Sequence, residues 1–356
     1  VKADDTVVLH IGVPKTATTA VQSALAAARD ALNRAGVNYP GRGINQVPHL
    51  RAPLDWPADD EMAVADLERW TRLRRQVARS SRVVVSAESV AVATSQQAER
   101  IVEGLGGDRV RVVVTLRALS AIVPAAYQED VKAGVATPYV EWLDEVCTSA
   151  GPRGSSPAPF WGAHDHAAIV ERWVSLLGAQ RITVVIVDSS RPEQVFAAFD
   201  DLLGLPMGTI DPTLADHGNR SLTAAECELI RRLNETMGGQ DELTIRRRPV
   251  PAHAIWAMLD GRVPSADEPR LIVPPFAVDR LVPIAADIVT RIRATGCSVV
   301  GDIERLFVSP VSTAPEPREP VAGAEPDQPE LPVESAALLI SWLLHNGVTP
   351  PRGRPG

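Results

Sequence analysis

Cysteine is scarce in this chain. Its 356 residues include three, Cys147, Cys227 and Cys297, set far apart with no C-x-x-C pair. That spacing excludes a disulfide scaffold and a cysteine-held metal centre, and predicts reduced thiols. Long apolar runs are missing too: none approaches the ~20 residues that a membrane span needs. Positive charge is in deficit, with 36 Lys and Arg against 44 Asp and Glu, a net charge of −8 and a pI near 5.5. A general nucleic-acid binder is thereby excluded. An acidic protein can still bind an anion, but only through a local cluster of donors. The opening stretch "VKADDTVVLHIG" places two acids ahead of an apolar run. It lacks the apolar core and small-residue cleavage site of a signal peptide, so a cytoplasmic protein is expected.

Hydrophobic residues make up 45% of the chain, enough for a sizeable core. Four short apolar runs read as strands: "TVVLHIG" (6–12), "RVVVSA" (82–87), "RVRVVVTL" (109–116) and "RITVVIV" (181–187). They are continuous rather than alternating, as in parallel strands covered on both faces. Helical patterns lie between them, at about 18–35, 62–79, 94–105, 118–133 and 164–178. This alternation predicts an α/β domain with a P-loop-NTPase-like central parallel sheet flanked by helices. Beyond Val187 the chain turns helical, with helices expected over 191–205, 221–239 and 276–296, the last containing Pro283. The predicted domain covers 1–308, with its helical part from about 191. Residues 309–334, rich in Pro, Glu and Ala, read as a disordered linker. A short helix over 335–347 and a tail over 348–356 complete the chain. The apolar residues Leu338, Leu339, Ile340 and Trp342 give that helix a face with which to dock.

The stretch "LHIGVPKTATTAVQ" (9–22) is where a strand gives way to a helix. An ATP-binding loop reads G-x-x-x-x-G-K-[ST]. Here Gly12 stands three residues before Lys15, and Pro14 occupies the place of the second glycine. The loop is shorter and stiffer, yet the parts that bind a phosphate are present. Backbone amides of residues 16–19 lie at a helix N-terminus. Thr16, Thr18 and Thr19 add hydroxyls, and Lys15 adds a full charge.

"HIGVPKTATTAVQ" resembles the 5′-phosphosulfate loop of sulfotransferases, which use 3′-phosphoadenosine 5′-phosphosulfate as donor. The family's usual loop reads P-K-[TS]-G-[TS]-[TS], and Ala17 stands here in place of its glycine. A helix N-terminus accepts alanine at negative φ, and Ala17 is expected to do little harm there. The resemblance extends to "VRVVVTLR". It implies that Arg117, at the strand end, holds the 3′-phosphate together with a serine eight residues on, where this chain has Ala125. It also extends to "HGNRSL", implying that Arg220 and Ser221 help close over the nucleotide, although Ser221 reads equally well as a helix N-cap. Together with "VVVSAES", "TPYVEWLDEV" and "FWGAHDHAAIVERWVSLLG", the likeness is to one actinobacterial group and covers roughly 6–235. Residues 15–19 would then cradle the donor without a metal. The acceptor implied is a hydroxyl or amine on a small molecule, as in secondary metabolism, a glycan or a lipid.

Lys15, Glu88 and Arg117 each sit at or just past the carboxyl end of a predicted strand, the edge at which open α/β sheets bind ligands. Lys15 is the natural partner for charge arriving on a leaving phosphate oxygen. An acceptor hydroxyl or amine must lose a proton, so a base is expected. Glu88 and His49 are the candidates, the latter in the loop region where acceptor contacts concentrate. In "GAHDH", His164 and His166 lack a third metal ligand, and the D-H pair reads as the opening of helix 165–178. Two other readings stand beside sulfuryl transfer. A nucleotide-dependent kinase would use Asp188, at the end of "ITVVIVD", as its magnesium carboxylate. A non-catalytic nucleotide-binding relative is motivated by Ala17 and Ala125.

Overall fold

The computed structural model describes residues 5–149, 159–188, 190–214, 220–237, 250–307 and 333–346. In chain order the elements are β1 (Thr6–His10), α1 (Thr18–Ala27), α2 (Arg29–Arg34), β2 (Val37–Asn38), α3 (Val47–Leu50), α4 (Asp60–Ala78), β3 (Arg82–Ser86), α5 (Ser95–Leu105), β4 (Val110–Leu116), α6 (Leu119–Ala133) and α7 (Tyr139–Thr148). There follow α8 (Pro159–His164), α9 (His166–Leu177), β5 (Ile182–Ile186), α10 (Gln194–Leu202), α11 (Ala224–Met237), α12 (Ala252–Gly261), α13 (Pro275–Ala294), β6 (Ser298–Val300) and α14 (Val333–Asn346).

All six strands form one parallel sheet in the order β2-β3-β1-β4-β5-β6. The expected α/β class with a central parallel sheet flanked by helices is therefore the observed one. The four apolar runs are β1, β3, β4 and β5. Two edge strands, β2 and β6, escaped the pattern because two and three residues are too few to show one. The helix expected over 18–35 is two helices. α1 ends at Ala28, where ψ is 5°, and the Arg29 guanidinium takes the Ala26 carbonyl at 3.2 Å as well as the Gly43 carbonyl.

The chain forms two compact units. The first comprises residues 1–119, 149–218 and 280–308 and holds the sheet; the second comprises 120–148, 219–279 and 309–356. On one face of the sheet, Val8, Val84 and Val113 pack with Val21 and Leu25 of α1 and Phe199 of α10. On the other, α5 and α9 pack together, α9 against β4 and β5. Helix starts follow their caps: Asp59 accepts from the Met62 amide, Thr94 and Gln97 form a reciprocal capping box, and Asp165 opens α9 by accepting from Ala168. The α4–α5 contact depends on Gly104, since a Cβ there would lie 2.2 Å from the Trp70 ring.

In the second unit α14 packs on α12. Leu338 lies against Gly261, Leu339 is buried, and the His253 and Trp342 rings stack at 6.3 Å. Most of the expected linker, 309–332, and the tail lie outside the described residues, while Val333 and Glu334 already belong to α14.

Candidate functional site: a left-handed loop over three strand ends

The three central strands change character at their last residues. Along β3, β1 and β4 the helix-covered face runs from Val84, Val8 and Val113 to Ser86, His10 and Thr115, two residues further on. Alternate strand residues share a face, so these three polar groups continue the same face beyond the apolar layer. All three are fully buried. His10 Nδ1 lies 2.8 Å from Ser86 Oγ and Nε2 lies 3.2 Å from Thr115 Oγ1, with the Phe199 ring edge-on at 4.9 Å. Burial pushes the His10 imidazole down to about 3, so it is neutral across the physiological range.

The loop after β1 rests on this polar layer. Thr16, also fully buried, receives the Val13 amide at 3.2 Å, donates to the Val13 carbonyl at 2.6 Å and touches Thr115 Oγ1 at 2.8 Å. Its hydroxyl is thus spent inside the protein, leaving its amide for a ligand. Thr18, nearly buried, donates to the same carbonyl at 3.4 Å, and Thr19 is exposed. Gly12 has φ +53°, and a Cβ there would sit 2.6 Å from Thr18 Oγ1, so glycine is required on both grounds.

Lys15 and Ala17 also lie at positive φ, 69° and 61°, on either side of Thr16, which does not. This corrects the expectation that Ala17 sits at negative φ; the tight Val13–Thr16 turn forces the chain into the left-handed region before α1 begins. Glycine would adopt that handedness without strain. Alternation of φ sign along a loop can turn successive amides toward one side, the kind of backbone concavity that suits an anion. The concavity meets the N-terminus of α1, whose dipole adds to it.

β1 lies between β3 and β4, and the chain runs from β1 to β3 on one side and then crosses to β4 on the other. The switch point at the carboxyl ends of β1 and β4 is where open α/β sheets form their ligand crevice. Arg117 follows Thr115 by two residues, so it starts close to a direct contact with the loop. Partial burial lowers its pKa without removing its charge. Glu88 opens a 3₁₀ turn over Glu88–Val92, one residue after the Ala87 amide extends the β1–β3 ladder to the His10 carbonyl at 2.9 Å. Lys15, Glu88 and Arg117 each make polar contacts of their own.

His49, on α3, is half-buried, and its Nδ1 is enclosed without a hydrogen-bond partner. Burial and the positive charges of Arg72 and Arg69 on α4 hold its pKa below the ordinary value. α3 packs against the Glu88–Val92 turn as well as α4. His164, set aside on sequence grounds, is the histidine that feels the charge of Lys15. Burial first, and Lys15 second, hold it down to about 4. It ends α8, which packs on the same 3₁₀ turn, its ring lies tilted against Phe160 at 4.5 Å, and its Nδ1 is buried without a hydrogen-bond partner. No local signal marks it, because the approach of α8 to the Glu88 turn is a tertiary event.

Arg220 and Ser221 belong to the second unit. Both guanidinium nitrogens of Arg220 bind Glu226, at 2.7 and 2.8 Å. The α11 cap is Thr223, not Ser221: Thr223 Oγ1 accepts from the Glu226 amide while Glu226 accepts from the Thr223 amide. The Ser221 side chain is exposed and its carbonyl accepts from Arg270. Ala125 lies on α6 and supplies no polar side-chain atom. Asp188 follows β5, separated from β1 by β4, and is engaged by Ser190 at 2.6 and 2.8 Å and by Arg191 at 3.3 Å. Among the described residues no group of three or more His, Cys, Asp or Glu is placed to hold a metal.

No protein-family model matches the chain, and no curated protein does. Among solved structures, a sulfotransferase from Alicyclobacillus acidocaldarius is similar at 16% identity, covering 81% of this chain and 94% of that one, with a TM-score of 0.46.

Proposed function

We propose that the protein is a sulfotransferase that moves a sulfuryl group from 3′-phosphoadenosine 5′-phosphosulfate to a hydroxyl or amine acceptor. The observation that carries this reading is the left-handed loop with Lys15 over the switch point between β1 and β4. A concavity of amides, a helix N-terminus and one lysine fit a 5′-phosphosulfate. The donor supplies an activated sulfuryl group. Residues 15–19 hold its 5′ end through their amides, that of Thr18 among them, and through the Thr19 hydroxyl, and Arg117 holds the 3′-phosphate. The acceptor oxygen or nitrogen bonds to sulfur as the bond from sulfur to the phosphate oxygen breaks. Lys15 neutralises the charge that arrives on that oxygen, and Glu88 takes the acceptor's proton. His49 stands as the second candidate base, on the acceptor side. No step here is built on Arg220 or Ser221, which belong to the second unit. Small molecules, glycans and lipids all satisfy this chemistry.

A kinase would use a magnesium-binding carboxylate. Asp188, the residue that reading relies on, is one strand removed from β1 and is bound to Ser190 and Arg191. Sulfuryl transfer accounts for more of what surrounds Lys15. The test is incubation with the sulfate donor and panels of acceptors, read by mass spectrometry for SO₃ addition. Lys15→Ala is expected to lower turnover by about 10²–10³-fold or more, as removal of an oxyanion donor does. Near-normal turnover in that variant would rule out the role of Lys15. Binding of 3′-phosphoadenosine 5′-phosphate without turnover toward any acceptor would favour the non-catalytic reading.

A further inference from the structure

The hydrogen bonds beneath the loop can be assigned a direction by counting protons. Thr16 has one hydroxyl proton. The Val13 carbonyl, 2.6 Å away, can only accept, so that proton is spent. Thr115 must then donate across its 2.8 Å contact to Thr16. With its own proton used, Thr115 can only accept from His10, so His10 Nε2 carries a hydrogen. A neutral ring protonated at Nε2 accepts at Nδ1, so Ser86 donates to it at 2.8 Å. Ser86 Oγ accepts in turn from Gln22 Nε2 at 3.1 Å, and Gln22 Oε1 from Asn45 Nδ2 at 3.3 Å. One directed chain runs from Asn45 through Gln22, Ser86, His10, Thr115 and Thr16 to the Val13 carbonyl. It crosses the ends of three strands.

The other neutral tautomer of His10 reverses the bonds from Ser86 to Thr16. Thr115 would donate to Nε2, Thr16 would donate to Thr115, and the Val13 carbonyl would lose its 2.6 Å partner and keep only the long 3.4 Å contact from Thr18. That carbonyl belongs to the turn that sends Lys15 and Ala17 into the left-handed region. A carbonyl oxygen swung toward the concavity would oppose a bound anion. The groups recorded against the imidazole are neutral: Ser86 from β3, Thr115 from β4 and Phe199 from α10, with Gln22 of α1 bonded to Ser86 behind them.

We propose that His10 is a positioning residue for the anion loop: as the neutral Nε2–H tautomer it orients Thr115 and Thr16 so that the Val13 carbonyl is held inward and the loop amides face the anion. The proposal rests on reading this loop as the donor site, and its test separates the two.

Nitrogen-15 NMR of the unaltered protein is expected to show His10 neutral and protonated at Nε2. Thr115→Val cuts the chain between His10 and Thr16. Amide exchange at residues 16–18 is expected to rise, and affinity for 3′-phosphoadenosine 5′-phosphate to fall, each by about tenfold, the scale of one lost internal hydrogen bond. Thr115→Ser retains the hydroxyl and should recover both. A generally destabilising change would not act selectively on the loop amides or be rescued by serine. If the unaltered protein binds no nucleotide while the tautomer and the exchange behave as stated, the positioning role stands and the donor reading falls. An Nδ1–H ring, or a folded Thr115→Val protein with unchanged loop exchange and nucleotide affinity, overturns the positioning role. The NMR measurement decides the case if Thr115→Val does not fold.

Discussion

Ala17 occupies a backbone region that glycine enters freely and that costs an L-residue about 1–2 kcal/mol. Ala17→Gly should remove that strain but loosen the unfolded chain, for a net gain of up to about 1 kcal/mol. Urea denaturation measures it, and a loss of stability would contradict the left-handed assignment. Nucleotide affinity should hold or improve, because the loop geometry is already that of glycine. Arg117→Ala should weaken binding of a 3′-phosphorylated nucleotide by about 1.5–3 kcal/mol relative to its analogue without that phosphate, the range for a charged hydrogen bond. Calorimetry with both nucleotides checks this, and equal losses for the two would remove the assignment. Lys15 and the threonines could be found in the sequence because their order along the chain is itself the motif. The handedness at Ala17 could not, since it follows from the Val13–Thr16 turn. Nor could His10, which reads there only as a break in an apolar run.

At the scale of elements, the start of α11 holds a buried charge cluster in the second unit. Glu226, inaccessible to solvent, binds Arg220 twice, Arg262 at 2.9 Å and its own capping partner Thr223. Burial works to raise its carboxyl pKa, but the Arg220 and Thr223 hydrogen bonds and the Arg220 and Arg262 contacts outweigh it and bring it down to about 2. A carboxylate depressed from 4.5 stabilises the fold above that pH, and the contribution is lost as pH falls through about 2. Glu226→Gln should cost about 3–5 kcal/mol, as does breaking a buried ion pair on one side. Its acid-unfolding profile should be flatter below pH 4.5 than that of the unaltered protein; parallel profiles would sink the assignment. This helix is legible in the sequence within 221–239, where Ser221 reads as an N-cap. Only the partner at i+3 decides, and the pair here is Thr223 with Glu226. α3, α7, α8 and α12 went unread because each is too short to show a sustained period.

Across the whole molecule, three histidines of the first unit are buried and held below their ordinary pKa: His10 and His166 at about 3 and His164 at about 4. Unfolding lets each bind a proton near 6.5, so the unfolded chain takes up more protons between that pH and the folded values. Stability should therefore be complete above about 6.5 and fall as pH drops toward 3, by up to about 1.4 kcal/mol per pH unit for each histidine. Thermal melts from pH 7.5 to 4.5 read the slope; a melting temperature that holds or rises on acidification would show these rings to be charged in the fold. The parallel class of the sheet was legible because buried strands read as unbroken apolar runs. Its order was not, because pairing joins segments up to about a hundred residues apart. That order also has a consequence for synthesis. The strand ends carrying Lys15, Glu88 and Arg117 are all complete by residue 117, so the proposed ligand-binding edge is written in the first third of the chain. β4 ends at Leu116, but its outer partner β5 ends at Ile186, 186 − 116 = 70 residues later. At ribosomal speeds of about 5–20 residues per second, β4 waits roughly 4–14 s with one edge unpaired. A nascent chain in that interval presents an apolar strand edge to its neighbours, and pausing within residues 117–186 lengthens the exposure.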